Sequence, residues 1–232
     1  INTTVQITAI VIITAAATFS VVAGMDKGVK RLSIINMTLA VSLMAFVFFI
    51  GPTIHILESF LQNTGSYLSG IVERTFNLQA YSRSDWIGNW TLFIFGWTIA
   101  WAPFVGMFIA KISRGRTIRQ FVVGVMLVPT IFTFLWFSVF GDTALNLIMN
   151  EGFNTLITDV QANHAVALFQ LFEVLPLSFI ISLLTVILII TFFVTSSDSG
   201  SLVIDSLASG GSIDTPAWQR AIWAVLEGAV AA

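Results

Sequence analysis

Charge is what this sequence has least of. Of its 232 residues 9% are Asp, Glu, Lys or Arg and 56% are hydrophobic, with a formal net charge of −2. The mean hydropathy is +0.93, whereas soluble domains carry about 25% charged residues. Ten basic and twelve acidic side chains cannot cover a water-facing surface of this size. That excludes a soluble enzyme, a nucleic-acid binder and a disordered chain, and leaves an integral membrane protein. Cysteine is absent, which excludes disulfides, thiolate metal sites and a cysteine nucleophile. No HExxH, GxSxG, P-loop or GxGxxG pattern occurs, and Ser199-Gly200-Ser201 has no base at hand, so no enzyme chemistry is expected. His55 and His164 each stand alone, without a second histidine at ligand spacing. The chain opens at Ile1 with neither a basic leader nor a cleavage site and stops within an apolar run at Ala232. We read it as an internal piece of a longer polytopic protein.

What is abundant is long apolar runs. A helix needs about 20 mostly apolar residues to cross the hydrocarbon core. Five stretches qualify, near Val5–Gly24, Ile34–Ile54, Trp90–Ala110, Phe121–Phe140 and Val174–Val194, and a sixth begins near Ala221 and is cut short. Backbone groups in lipid are satisfied within a helix, so the expected class is an all-α polytopic membrane protein. Lys27, Lys30, Arg31, Lys111, Arg114, Arg116, Arg119 and Arg220 fall on one side of these spans. Only Arg74 and Arg83 fall on the other, so segments 25–33, 111–120 and 197–220 are expected to face the cytoplasm. The run Lys111–Arg119 would anchor that side to anionic headgroups of the bilayer.

The connection Ile56–Asn89 is too polar to span. Leu61, Tyr67, Leu68, Ile71, Val72 and Phe76 recur at helical spacing within it, opposite Glu73 and Arg74. This predicts an amphipathic helix on the outer surface. Leu145–Asp159 is a second interfacial candidate of weaker periodicity.

Three places break the membrane pattern. In the third span Trp97 and Trp101 lie near mid-depth and, four residues apart, share a face. Gly96, Pro103 and Gly106 stand beside them, and a kink or break is expected there. Such a face can hold an organic cation by cation–π attraction, worth about 2 kcal/mol when desolvated; aromatic packing between helices is the other reading. At the end of the fifth span, Thr195-Ser196-Ser197-Asp198-Ser199-Gly200-Ser201 concentrates oxygen-bearing side chains. Hard cations such as Na⁺ take oxygen ligands; taken alone, the run is better explained as a helix end that bonds to its own carbonyls, followed by a polar turn. Finally, Glu173 and Glu227 lie at or within apolar runs, the first expected at the interface and the second bonded to a neighbouring helix.

The combination of these residues resembles the betaine/choline/carnitine transporter family. It rests on Gly24–Lys30, Gly51-Pro52-Thr53, Glu73–Phe76, Trp90–Phe93, Trp97, Trp101, Pro103–Phe108, Ser113–Arg119, Thr195–Ser199 and Trp218–Arg220. The resemblance implies a secondary transporter of quaternary-ammonium compatible solutes, of the choline, glycine betaine and carnitine type, in a bacterial inner membrane. It implies part of an inverted-repeat, five-plus-five-helix fold, entered near the sixth helix and left in the eleventh. On that map residues 1–57 are two helices ending the first repeat and 58–89 are the outer amphipathic connector. Residues 90–232 then begin the second repeat, with three spans and a truncated fourth. By resemblance, Trp97, Thr98, Trp101 and Phe104 line the substrate site, Thr195 and Ser196 bind Na⁺, and Phe108 and Phe192 lie near the pathway. The coupling ion is expected to be Na⁺, with H⁺ as the alternative, and the assembly a homotrimer. The family usually reads W-x-W-W-x-x-W where this chain has Phe95, Trp97, Thr98 and Trp101. An aromatic cage with Thr98 in place of one wall holds a trimethylammonium group less strongly, which leaves a different organic cation or zwitterion open. A non-transporting membrane scaffold or osmosensor is the rival reading.

Overall fold

The computed structural model describes residues 2–23, 30–82, 84–212 and 215–232. Lys27 and Arg83, which count in the charge asymmetry, and most of the 24–30 motif lie outside them. The described residues form helices and connections, with no strand among them. Ten α-helices follow in order: α1 Thr3–Ala23, α2 Lys30–Ile50, α3 Thr53–Phe76, α4 Phe93–Ile112, α5 Ile118–Trp136, α6 Thr143–Glu151, α7 Thr155–Ala162, α8 Ala167–Glu173, α9 Ser178–Ala208 and α10 Ala217–Ala231. Five stretches are long and apolar enough to cross a membrane: Thr3–Val22, Lys30–Ile50, Ile87–Ala110, Ile118–Glu151 and Ser178–Ala208. They correspond to the five runs expected from the sequence.

The chain divides into two compact units. The first comprises Ile1–Leu43 and Phe179–Ala232. Here α1 packs along α10 around Val21, Leu202 and Ala224. The approach is close because Gly228 on α10 carries no side chain, and a Cβ there would run into Thr14 of α1. Small residues let membrane helices draw near, where dispersion replaces the hydrophobic effect as the driving force.

The second unit is Met44–Ser178. Within it α3 packs through its polar side: Asn63 donates to both carboxylate oxygens of Asp142, at 3.2 and 3.1 Å. Tyr67 meets Phe134 edge to face at 5.3 Å. Its apolar stripe, Leu57, Leu61, Leu68, Val72 and Phe76, is exposed. That is the orientation expected of a helix lying on a bilayer surface. α3 starts at Thr53, immediately after Pro52, so the proposed boundary between residues 57 and 58 falls inside it.

Several expectations need correction. Pro103 does not break its helix: α4 runs through it to Ile112, and the irregularity lies instead in a π-helical turn at Ile87–Leu92 that feeds α4. Proline removes one hydrogen bond, and a long apolar helix tolerates that loss. The fourth span does not end at Phe140. A π-helical turn at Phe137–Asp142 joins α5 to α6, so Leu145 and its neighbours extend the span. There, Thr143 Oγ1 donates to the Val139 carbonyl at 2.5 Å. Gly152, at φ +72°, then closes α6 with its N–H on the Leu147 carbonyl. The hydroxyl-rich run is not a helix end either. α9 continues to Ala208, and only 209–216 connects it to α10, a shorter link than the 197–220 loop read from composition. Ser199 donates to the Thr195 carbonyl at 2.9 Å and Thr195 to the Phe192 carbonyl at 2.9 Å. Such bonds keep the polar side chains within the helix rather than ending it.

The basic run keeps its expected place as a short connection. Gly115 turns the chain at φ +80°. Thr117 and Gln120 then cap α5 reciprocally, Gln120 N–H to Thr117 Oγ1 at 3.2 Å and Thr117 N–H to Gln120 Oε1 at 3.1 Å. Two otherwise orphaned donors are thereby satisfied.

Candidate functional site

The aromatic candidates stand on α4. Trp97, Trp101, Phe104 and Phe108 follow at intervals of four, three and four residues, which a helix of 3.6 residues per turn places on one face. Trp101 and Phe104 come together, their ring centroids 6.4 Å apart at 61°. Trp97 makes no ring contact among the described residues and is 55% exposed; Trp101 is 44% exposed. No residue of Ile87–Ala110 is buried. A helix that is apolar all round and open all round is built for lipid or for further helices. Thr98, where a tryptophan was expected, donates its hydroxyl to the Ile94 carbonyl at 2.7 Å. Trp90 pairs instead with Trp86, at 5.6 Å.

The hydroxyl candidates stand on α9, in the other unit. Thr195 Oγ1 donates to the Phe192 carbonyl at 2.9 Å and accepts from Asn36 Nδ2 of α2 at 3.2 Å. Ser196 is the next residue, about 100° further round the helix, and is exposed without a hydrogen bond. Phe192 is 42% exposed. The structure therefore joins Thr195 to Phe192 through the backbone and leaves Ser196 facing outward.

Asn36 escaped the sequence reading. It is 2% exposed within an apolar span, and its Oδ1 makes no hydrogen bond. Ser20 of α1 was also passed over; its hydroxyl donates to Asp198 Oδ2 at 2.5 Å. The signal that would have found both is a single amide or hydroxyl in an otherwise apolar run, since an intramembrane polar group needs a partner. Glu227 does bond to a neighbouring helix, as expected: Ser197 donates to its Oε2 at 2.9 Å. Glu173 ends α8 and is exposed, in keeping with an interfacial place. Among the described residues no group of three His, Asp or Glu forms a metal cluster.

Five apolar spans and polar bonds between helices inside them define a polytopic membrane protein. The sequence matches the family described as BCCT, betaine/carnitine/choline family transporter, over residues 1–232. The chain belongs to that family. It is 50% identical to a glycine betaine transporter of Acinetobacter baylyi, over 95% of this chain and 33% of that protein. It is 46% identical to a glycine betaine/proline/choline transporter of Vibrio parahaemolyticus, over 98% of this chain and 40% of that protein. An ectoine/glycine betaine/proline transporter of Corynebacterium glutamicum is 44% identical, over 98% of this chain and 37% of its own length. The chain thus spans 33–40% of the length of these relatives.

Proposed function

We propose that the full-length protein carries betaine-type compatible solutes across the membrane by alternating access, with this chain supplying part of the solute path. The observation that carries the reading is the aromatic stripe of α4, where Trp101 and Phe104 meet at 6.4 Å in a span without charged residues. A trimethylammonium group has no N–H to donate, so hydrogen bonding cannot recognise it, but its charge is attracted to an indole face. Relatives named for glycine betaine, choline, proline and ectoine share that chemistry in part: each solute is a cation or a zwitterion with a carboxylate. Thr98 removes one indole from the stripe, which favours smaller or less methylated solutes over choline alone.

Sodium is the proposed coupling ion, held by Thr195 and Ser196. Hydroxyl oxygens suit a hard cation, and the Asn36 bond fixes the Thr195 rotamer from the side. Residues 1–57 and 90–232 are assigned to successive inverted repeats joined by the α3 connector. The basic segment between α4 and α5 is assigned to the cytoplasmic face, and the full-length protein to a homotrimer.

Trp101→Ala tests the solute assignment. Loss of about 2 kcal/mol of cation–π attraction raises the uptake KM roughly 30-fold, with surface expression unchanged. An unaltered KM removes Trp101 from the path.

A further inference from the structure

The second unit holds a small polar cavity that the transport reading does not use. Its volume is about 280 Å³, and it lies between α3 and the π-helical turn that joins α5 to α6. Asn63, Tyr67 and Arg74 border it from α3, and their spacing places them on one face of that helix. Ser138 and Asp142 border it from the π-helical turn, a kind of irregularity that recurs at functional sites.

Asp142 is 8% exposed and Ser138 5%. Both carboxylate oxygens of Asp142 accept from Asn63, at 3.2 and 3.1 Å, and no cationic side chain among the described residues pairs with them. The Ser138 hydroxyl makes no hydrogen bond among the described residues, although the side chain is nearly buried and borders the cavity. Arg74 folds back along α3 over Gly70, where a Cβ would lie 3.1 Å from its Nε. Its guanidinium reaches the Ser66 hydroxyl at 3.5 Å and no carboxylate. A carboxylate and a guanidinium thus border one cavity without forming an ion pair. Removing a charge from water is costly unless a partner of opposite sign replaces the lost hydration.

We propose that this cavity binds a small zwitterion carrying a protonated amine and an anionic oxygen group, separately from the aromatic stripe of α4. The amine donates to the Asp142 carboxylate and the Ser138 hydroxyl. The anionic group accepts from Arg74, whose fork of donors suits a carboxylate or a phosphate. Pockets for drug-sized ligands run from roughly 300 to 1,000 Å³, so this one takes a molecule the size of an amino acid or a lipid headgroup. A trimethylammonium group is a poor fit, because it has no N–H to give Asp142 and Ser138. The two sources of the chemistry are a free amino acid and the headgroup of an aminophospholipid. Either ligand ties the amphipathic helix α3 to the π-helical turn of the fourth span.

The test is thermal unfolding of the purified full-length protein in nanodiscs of phosphatidylglycerol, with glycine betaine held in excess throughout. Free glycine should still raise the Tm saturably, as a ligand of the folded state does. Arg74→Gln should move the midpoint of that rise about tenfold higher, the loss of one charge-assisted hydrogen bond, and Ser138→Ala should move it several-fold. Arg74 is exposed, so its substitution leaves folding intact; the serine variant gives a second, independent reading. In the other arm phosphatidylethanolamine replaces part of the phosphatidylglycerol and no glycine is added. A Tm rise there that Arg74→Gln removes, with glycine adding nothing further, assigns the cavity to the lipid headgroup. A glycine response without a lipid response assigns it to free amino acids. The proposal is overturned if neither arm raises the Tm, or if both variants leave the rise unchanged. Uptake of glycine betaine reads the transport function separately: its failure would remove that reading and leave this cavity standing.

Discussion

Thr195 is held on two sides, by its own helix through the Phe192 carbonyl and by Asn36 from α2. The second bond gives a prediction that spacing within α9 cannot supply. Asn36→Leu is isosteric enough to keep α2 packed, but it releases Thr195. The sodium concentration for half-maximal uptake in the full-length protein should rise several-fold, with the solute KM at saturating sodium little changed. An unaltered sodium dependence would detach Asn36 from ion binding. A second residue-scale prediction concerns Asn63, the donor to both oxygens of Asp142. Asn63→Ala leaves a nearly buried carboxylate without that partner and should cost about 1–3 kcal/mol, read as a lowered Tm in detergent. Trp97, Trp101, Thr195 and Glu227 stand out in the sequence as candidates because each is a residue type out of keeping with its surroundings. Asn36 and Ser20 were not, because their significance lies in partners far away in the chain: Ser20 meets Asp198, 178 residues on.

At the scale of elements, the spans were legible and their ends were not. Apolar runs of about 20 residues leave little choice but a helix in lipid, so α1, α2, α4, α5 and α9 follow from composition. Their limits depend on hydrogen bonds that composition conceals. The polar run after Val194 reads as a terminus, yet its hydroxyls bond back to carbonyls one turn earlier and α9 continues to Ala208. Likewise Pro103 reads as a kink or break, although the only donor it removes is one N–H and the helix continues to Ile112. The π-turn at Phe137–Asp142 leaves no mark in hydropathy at all. Close packing of α1 on α10 supplies the test at this scale. Gly228→Ala places a methyl against Thr14, an overpacking that costs about 1–3 kcal/mol. Thermal unfolding in detergent should show the loss, and Thr14→Gly in the same protein should recover part of it; equal Tm values for Gly228→Ala and the unsubstituted protein would mean that α1 and α10 do not approach so closely.

For the whole molecule, the scarcity of charge acquires a distribution. Basic residues gather at the ends of spans, as in the capped turn before α5, while the acids Asp198, Asp205 and Glu227 are engaged by serine or threonine hydroxyls inside the first unit. In the proposed function, solute recognition is assigned to uncharged aromatics and coupling to hydroxyls, which needs few charges within the spans. The family membership was legible because its motifs are short, ordered and spread over the chain. The departure at Thr98 was legible too, but its consequence depends on walls supplied by the remainder of the protein. The central claim is tested most directly by uptake of radiolabelled glycine betaine into proteoliposomes of the full-length protein, with and without an inward sodium gradient. The account expects accumulation that requires the gradient and is competed by other betaine-type solutes; folded, reconstituted protein that takes up no glycine betaine under any gradient would contradict it.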